Sequence, residues 1–169
     1  WTNYSLSSIS FGHEIAVTPL QMVVALSAIA NGGTLMEPHI TKALMRDGKV
    51  VEQVKPKKIR RVISKKTSQQ MLEILKFVVK EGTGKNAAVE GFDVAGKTGT
   101  AQKYISKTSS YSKTEFVSSF IGYAPADAPR LVILVMIDNP KGVHWGSVVA
   151  APVFREIAKK SLRYLNVPS

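Results

Sequence analysis

The sequence predicts a mixed α/β chain of the α+β type, an antiparallel sheet flanked by helices. Three observations lead there. Helix-period apolar segments stand at both ends and in the middle of the chain. Two strand-length apolar runs, Phe116 to Tyr123 and Leu131 to Ile137, are joined by the short Pro-rich link Ala124 to Pro129, which suits antiparallel neighbours. The dipeptide Asp47-Gly48 lies between two more strand-like runs and marks a hairpin. The 169 residues suffice for one ordinary domain with a real core.

The elements follow in order. Trp1 to Ser10 is polar and Ser-rich. Thr18-Pro19-Leu20-Gln21 reads as a helix start, with Thr18 as cap, Pro19 at the first helical position and Gln21 as capping-box partner. That helix runs Leu20 to Ala30, is apolar nearly all round and therefore predicted buried, and stops at Asn31-Gly32-Gly33. His39 to Met45 and Lys49 to Val54 form the hairpin; Pro56 to Arg61 reads as a basic connector. Ser64 begins a second helix with Met71, Leu72, Ile74, Leu75, Val78 and Val79 on one face, ending at Gly82. Phe92 to Tyr104 is strand-like, and Lys103 to Lys113 reads as a polar loop. Val148 to Leu165 is an amphipathic helix. Its apolar face holds Val153, Phe154, Ile157, Ala158, Leu162 and Leu165, with Pro152 in its first turn or bending it.

Composition narrows the chemistry. Cysteine is absent, which excludes disulfides, Cys nucleophiles and Cys-rich zinc sites. His13, His39 and His144 are far apart, show no metal-ligand spacing, and read as structural or exposed. No apolar run reaches the ~18 residues of a membrane span, and no signal peptide is visible at Trp1. Twenty-three Lys and Arg against twelve acids give a net charge of +11. Such a balance suits either a solvated basic surface or an anionic partner, whether nucleic acid, an acidic membrane surface or a wall polymer.

Two motifs share one lysine. Gly91 to Thr98 satisfies the phosphate-loop pattern G-x-x-x-x-G-K-[ST], and Leu131 to Ile137 followed by Asp138 resembles the strand-plus-Asp that holds magnesium in nucleotide enzymes. Context argues against this reading. Lys85 to Glu90 is not a buried strand, and Gly99 follows Thr98 where a helix should open onto the phosphates. The second motif is Lys97-Thr98-Gly99-Thr100, followed by Ala101-Gln102. K-T-G is the third signature of the penicillin-recognising serine enzymes.

The surrounding segments make the second reading specific. Phe11 to Met22, containing Val17-Thr18-Pro19-Leu20-Gln21, resembles the G-x-x-x-x-V-T-P-L-Q segment of class B penicillin-binding proteins. Ala30-Asn31-Gly32-Gly33, Glu37-Pro38, Gly82-Thr83-Gly84 and Ala95 to Gln102 follow in that family's order. Phe120 to Pro125, Asp138-Asn139-Pro140 and Ala151-Pro152-Val153-Phe154 complete the series. The resemblance covers Phe11 to the end.

It implies a penicillin-binding and serine β-lactamase-like transpeptidase fold and a peptidoglycan D,D-transpeptidase activity with a serine acyl-enzyme. It also implies β-lactam inhibition and no cofactor or metal. The implied partners are stem peptides, β-lactams and other cell-wall synthesis or division proteins, and not nucleic acid. The implied location is the outer face of the bacterial cytoplasmic membrane, with the parent anchored by an N-terminal span. A β-lactam sensor or non-catalytic penicillin-binding domain on the same fold is the alternative. By the same resemblance Lys97 holds the hydroxyl of the second motif and helps move the proton. Thr98 and Thr100 bind the substrate carboxylate, and Gly99 keeps the strand edge open. The Thr100 N–H completes an oxyanion hole. Trp145, after the last strand, is either an aromatic wall of the cleft or an exposed loop tryptophan.

The family's nucleophile lies in S-x-x-K and its second motif is S-x-N, both ahead of K-T-G. Here Ser110-Tyr111-Ser112-Lys113 and Tyr164-Leu165-Asn166 match as letters, but both come after K-T-G and are rejected. The expectation is that residues 1–169 form the C-terminal part of one transpeptidase domain, with the nucleophilic serine in the preceding part of that domain. Simple strand alternation puts Lys97 and Thr98 on opposite faces, so both serve one cleft only where the strand borders it.

Overall fold

In the computed structural model, residues 2–10, 12, 15–107 and 110–168 are described. His13 and part of the Phe11 to Met22 motif lie outside them. Among the described residues, five helices and seven strands follow in sequence: α1 (Ser5–Ser10), α2 (Pro19–Ala30), β1 (Thr34–Met36), β2 (Ala43–Arg46), β3 (Lys49–Gln53), β4 (Lys58–Arg61), α3 (Lys65–Lys80), β5 (Ala95–Ile105), β6 (Ser110–Ala124), β7 (Leu131–Asp138), α4 (Gly146–Val149) and α5 (Ala151–Tyr164). A 3-10 turn, Lys85–Ala87, follows α3.

The helix starts are those their caps dictate. Thr18 Oγ1 accepts the Gln21 amide at 3.2 Å while Gln21 Oε1 accepts the Thr18 amide at 2.8 Å. This reciprocal box satisfies two amides that a helix start leaves open. Ser64 Oγ accepts the Thr67 amide at 3.0 Å and starts α3 in the same way. α2 is not wholly buried, contrary to its composition. It packs on β1, β7, α3 and β6 along one side, so Leu26 and Ala28 are buried while Leu20 is 58% exposed. On α3 the buried residues are Ser68, Leu75 and Val79, and Ile74, at the edge of the apolar stripe, is exposed. The buried Ser68 hydroxyl donates to the Ile29 carbonyl at 2.6 Å and ties α3 to the end of α2.

The three-stranded sheet has the order β5-β6-β7, antiparallel throughout. Two expectations about its neighbourhood are corrected. The polar loop read at Lys103 to Lys113 is largely strand: β5 runs to Ile105, β6 starts at Ser110, and Tyr104 pairs with Tyr111, their rings meeting edge to face at 5.6 Å. Tyr104, Ser110 and Tyr111 are exposed on this extension, while Ser112 is buried and its Oγ accepts the Glu115 amide at 3.0 Å. The basic connector at Pro56 to Arg61 contains β4, which pairs antiparallel with β1. The β2–β3 hairpin turns at Asp47 (φ 50°) and Gly48 (φ 73°), two consecutive left-handed residues as a type I′ turn requires.

Two apolar clusters cover the sheet. Phe120, Val135, Phe154, Ala158 and Leu162 join β6 and β7 to α5, with Phe120 and Phe154 ring centroids 4.7 Å apart. Leu26, Leu75, Ala95 and Tyr123 join β5 and β6 to α2 and α3. The C-terminal helix is divided. α4 ends at Val149, and α5 begins at Ala151 with Pro152 in its first turn. Proline has no N–H to continue the α4 ladder, so the helix restarts. Val153 and Ile157 flank the buried stripe and are each 41% exposed.

Candidate active site

The phosphate-loop reading fails on geometry. Gly96, Lys97 and Thr98 lie inside β5, in register with Gly122, Ile121 and Phe120, and no helix follows them. The Asp138 carboxylate is held by Lys103 Nζ at 2.9 Å. That ion pair also holds the Lys103 ammonium above the usual lysine range, mainly through its hydrogen bond to Asp138. Ser110 and Lys113 lie at the start of β6, and Tyr164-Leu165-Asn166 closes α5 with Asn166 in a left-handed conformation.

β5 is an edge strand of its sheet, bonded on one side to β6. Alternation sends Ala95, Lys97 and Gly99 toward the α2–α3 side, and Gly96, Thr98 and Thr100 toward the α4–α5 side. Lys97 nevertheless reaches the Thr98 hydroxyl. Its ammonium turns back to donate to the Thr98 carbonyl at 2.9 Å and to Thr98 Oγ1 at 3.4 Å. An edge strand permits this, because no further strand blocks the path. Thr98 Oγ1 also lies 2.9 Å from the hydroxyl of Thr83, in the turn that follows α3. Thr83 falls in the Gly82-Thr83-Gly84 segment, but sequence alone gave it no role. It stands 15 residues from Thr98, and only tertiary packing joins them.

Thr100 is held from the other side. Its Oγ1 accepts the Gly146 amide at 3.1 Å. A Cβ at Gly146 would come within 2.4 Å of the Ser119 carbonyl oxygen and 2.5 Å of the Gly99 carbonyl oxygen. Glycine is what allows the start of α4 to sit directly on β5 and β6. A Cβ at Gly99 would meet Ser119 Oγ at 2.5 Å, so this glycine makes room for its cross-strand neighbour. Trp145, just before Gly146, is 57% exposed. It tilts against His144 at 4.8 Å, and His144 stacks on Phe116 at 3.9 Å with 7° between the rings. His39, by contrast, is an exposed residue of the connecting chain.

Lys97, Thr98, Thr100 and Thr83 are thus brought to one stretch of strand edge, with Trp145 beside Gly146 at its far end. One ammonium and three hydroxyls there can receive an anionic group lying along the strand. Among the described residues no three His, Cys, Asp or Glu side chains are grouped to hold a metal ion.

This strand, sheet and helix arrangement is the fold of penicillin-binding transpeptidase domains. Residues 1–159 match the penicillin binding protein transpeptidase domain family, and the chain belongs to it. It is 48% identical over 161 residues to stage V sporulation protein D of Bacillus subtilis, covering 94% of this chain and 25% of that protein. It superimposes on the crystal structure of penicillin binding protein 3 from Mycobacterium tuberculosis, complexed with aztreonam, with a TM-score of 0.88 and 37% identity. That match covers 99% of this chain and 40% of the other. The transpeptidase domain of penicillin-binding protein 3 from Burkholderia pseudomallei aligns with a TM-score of 0.81 and 36% identity, over 99% of this chain and 48% of that domain chain. The chain therefore spans about a quarter of the sporulation protein and less than half of either solved chain.

Proposed function

We propose that this chain carries the K-T-G side of a peptidoglycan D,D-transpeptidase site, and that the nucleophilic serine comes from a preceding part of the same domain. The observation that carries the reading is the edge of β5. There the Lys97 ammonium and the Thr98 and Thr100 hydroxyls stand on one open strand edge, each with its partner fixed. A terminal D-Ala-D-Ala stem laid along that edge adds as a strand and brings its carboxylate to the threonines. The serine Oγ then attacks the penultimate carbonyl carbon. The oxyanion is received by backbone N–H groups, that of Thr100 among them. D-alanine leaves with a proton, and an amine of a neighbouring stem takes the acyl group.

Lys97 lowers the energy of the anionic groups gathered there and assists the proton transfer to and from the serine. A β-lactam, which presents a similar anionic group, acylates the same serine; the Mycobacterium tuberculosis relative is crystallised with aztreonam. Under this reading the parent works on the outer face of the cytoplasmic membrane, anchored by an N-terminal span.

The test is D-alanine release from a pentapeptide stem by the full-length parent. Lys97→Ala is expected to lower the rate at least ~100-fold, the scale of one lost electrostatic contact in an acyl-transfer site. Because Lys97 is exposed, the melting temperature should stay put. An unchanged rate would overturn the proposal.

A further inference from the structure

We infer that Ser118 is a positioning residue for Thr100, acting through the loop that carries Trp145; this rests on the reading proposed above. Ser118 lies on β6 opposite Thr100 and is fully buried. A fully buried hydroxyl must spend its donor on something. Ser118 Oγ donates to the carbonyl of His144, and the strand and the loop are joined at that point.

Two residues further on, the Gly146 amide donates to Thr100 Oγ1 at 3.1 Å. One continuous path therefore runs from the floor of the sheet, through His144, Trp145 and Gly146, back to the hydroxyl at the strand edge. Other bonds hold the loop at its ends. The Asn139 amide donates to the Phe116 carbonyl at 2.8 Å, and Asn86 Nδ2 donates to the Ser147 carbonyl at 2.8 Å. Ser118 is the tie that joins the loop before Gly146 to the sheet, and Asn86 holds the residue after it.

The consequence is chemical. A hydroxyl has one donor and two acceptor lone pairs. With an N–H filling one lone pair, the Thr100 oxygen is turned toward Gly146 and its proton is directed away from the loop. That proton is then free for a carboxylate on the strand edge. The assembled loop thus sets Thr100 as a donor before substrate arrives, and the reorientation that would otherwise be needed on binding is avoided.

The experiment compares acylation of the full-length parent by benzylpenicillin and by its methyl ester, which lacks the carboxylate charge. Ser118→Ala is expected to slow the free acid roughly tenfold, the scale of one hydrogen bond, and the ester less than about twofold. In a Thr100→Val background the same substitution should cost nothing further, since residues acting through one contact are not additive. Ser118→Cys, a weaker donor of similar volume, keeps the test open should Ser118→Ala fold poorly, and should show a smaller loss with the same selectivity for the acid. Equal slowing of acid and ester, or losses that multiply in the double variant, would overturn the inference. Failure of the wild-type parent to be acylated would overturn the transpeptidase reading and this inference with it. Wild-type acylation that Ser118→Ala leaves unchanged would overturn this inference alone.

Discussion

Gly146→Ala sets two effects against each other, and the structure decides between them. Gly146 has no left-handed φ and opens α4, so alanine there should gain at most the ~1 kcal/mol of helix-interior propensity. Opposing this, the added methyl carbon would stand 2.4 Å from the Ser119 carbonyl oxygen and 2.5 Å from the Gly99 carbonyl oxygen. Both are backbone atoms of the sheet and cannot rotate aside as a flexible side chain would. To reach an ordinary contact, the start of α4 must retreat by about 1 Å.

Overpacking of this kind costs ~1–3 kcal/mol, which outweighs the propensity gain through most of its range. Retreat also stretches the 3.1 Å bond from the Gly146 amide to Thr100 Oγ1 to about 4.1 Å, beyond hydrogen-bonding distance. The expected outcome is a melting temperature lowered by up to ~8 °C. Labelling of the full-length parent by a fluorescent penicillin should also be about tenfold slower. Differential scanning calorimetry and gel fluorescence read the two effects. A variant with unchanged melting and unchanged labelling would refute the steric argument.

The remaining predictions concern other parts of the fold. Burial raises the phenol of Tyr123 to about 12, well above an exposed tyrosine. Because the folded value is the higher one, this contribution is complete below pH ~10 and is lost between pH ~10 and ~12, with a ceiling of about 2–3 kcal/mol. Melting temperature should fall across that window, and Tyr123→Phe should make the fall shallower; a fall of equal steepness in the variant would contradict the assignment. Thr83→Val removes the hydroxyl that faces Thr98 at 2.9 Å, and should weaken acylation by a carboxylate-bearing penicillin roughly fivefold while Thr83→Ser keeps it. Stopped-flow acylation rates on the parent check this, and equal rates for Thr83→Val and wild type would count against a role for that hydroxyl.

What the sequence disclosed was mostly local. The Thr18–Gln21 box and the Asp47-Gly48 turn are each written within a few residues, so their geometry follows from composition alone. The pairing of β4 with β1 was not readable. Lys58-Ile59-Arg60-Arg61 carries no apolar alternation, and its strand identity comes from a partner more than twenty residues away. The same holds for the Tyr104–Tyr111 extension, whose strand identity comes from the pairing of β5 with β6. Pro152 in the last helix was visible, yet whether it would bend or restart the helix depended on how α4 seats on Gly99 and Ser119.

The site divides along the same line. Lys97 to Thr100 could be identified as a motif of four consecutive residues. Alternation alone separated Lys97 from Thr98, and only the bare edge of β5 lets the ammonium turn back to its neighbour. Thr83, Ser118 and Gly146 could not be found from spacing. Each reaches Thr98 or Thr100 through tertiary packing, from the turn after α3, from the next strand, and from a helix start 46 residues downstream.

The central claim is that this strand edge completes a serine acyl-transfer site. Intact-mass measurement of the full-length parent after incubation with benzylpenicillin tests it most directly. The wild-type protein should gain the mass of one penicillin, on a serine outside this chain. The Lys97→Ala protein should gain it at least ~100-fold more slowly while melting as the wild type does. Equal gain by both proteins, or a penicillin carried by a serine of this chain, would contradict the account.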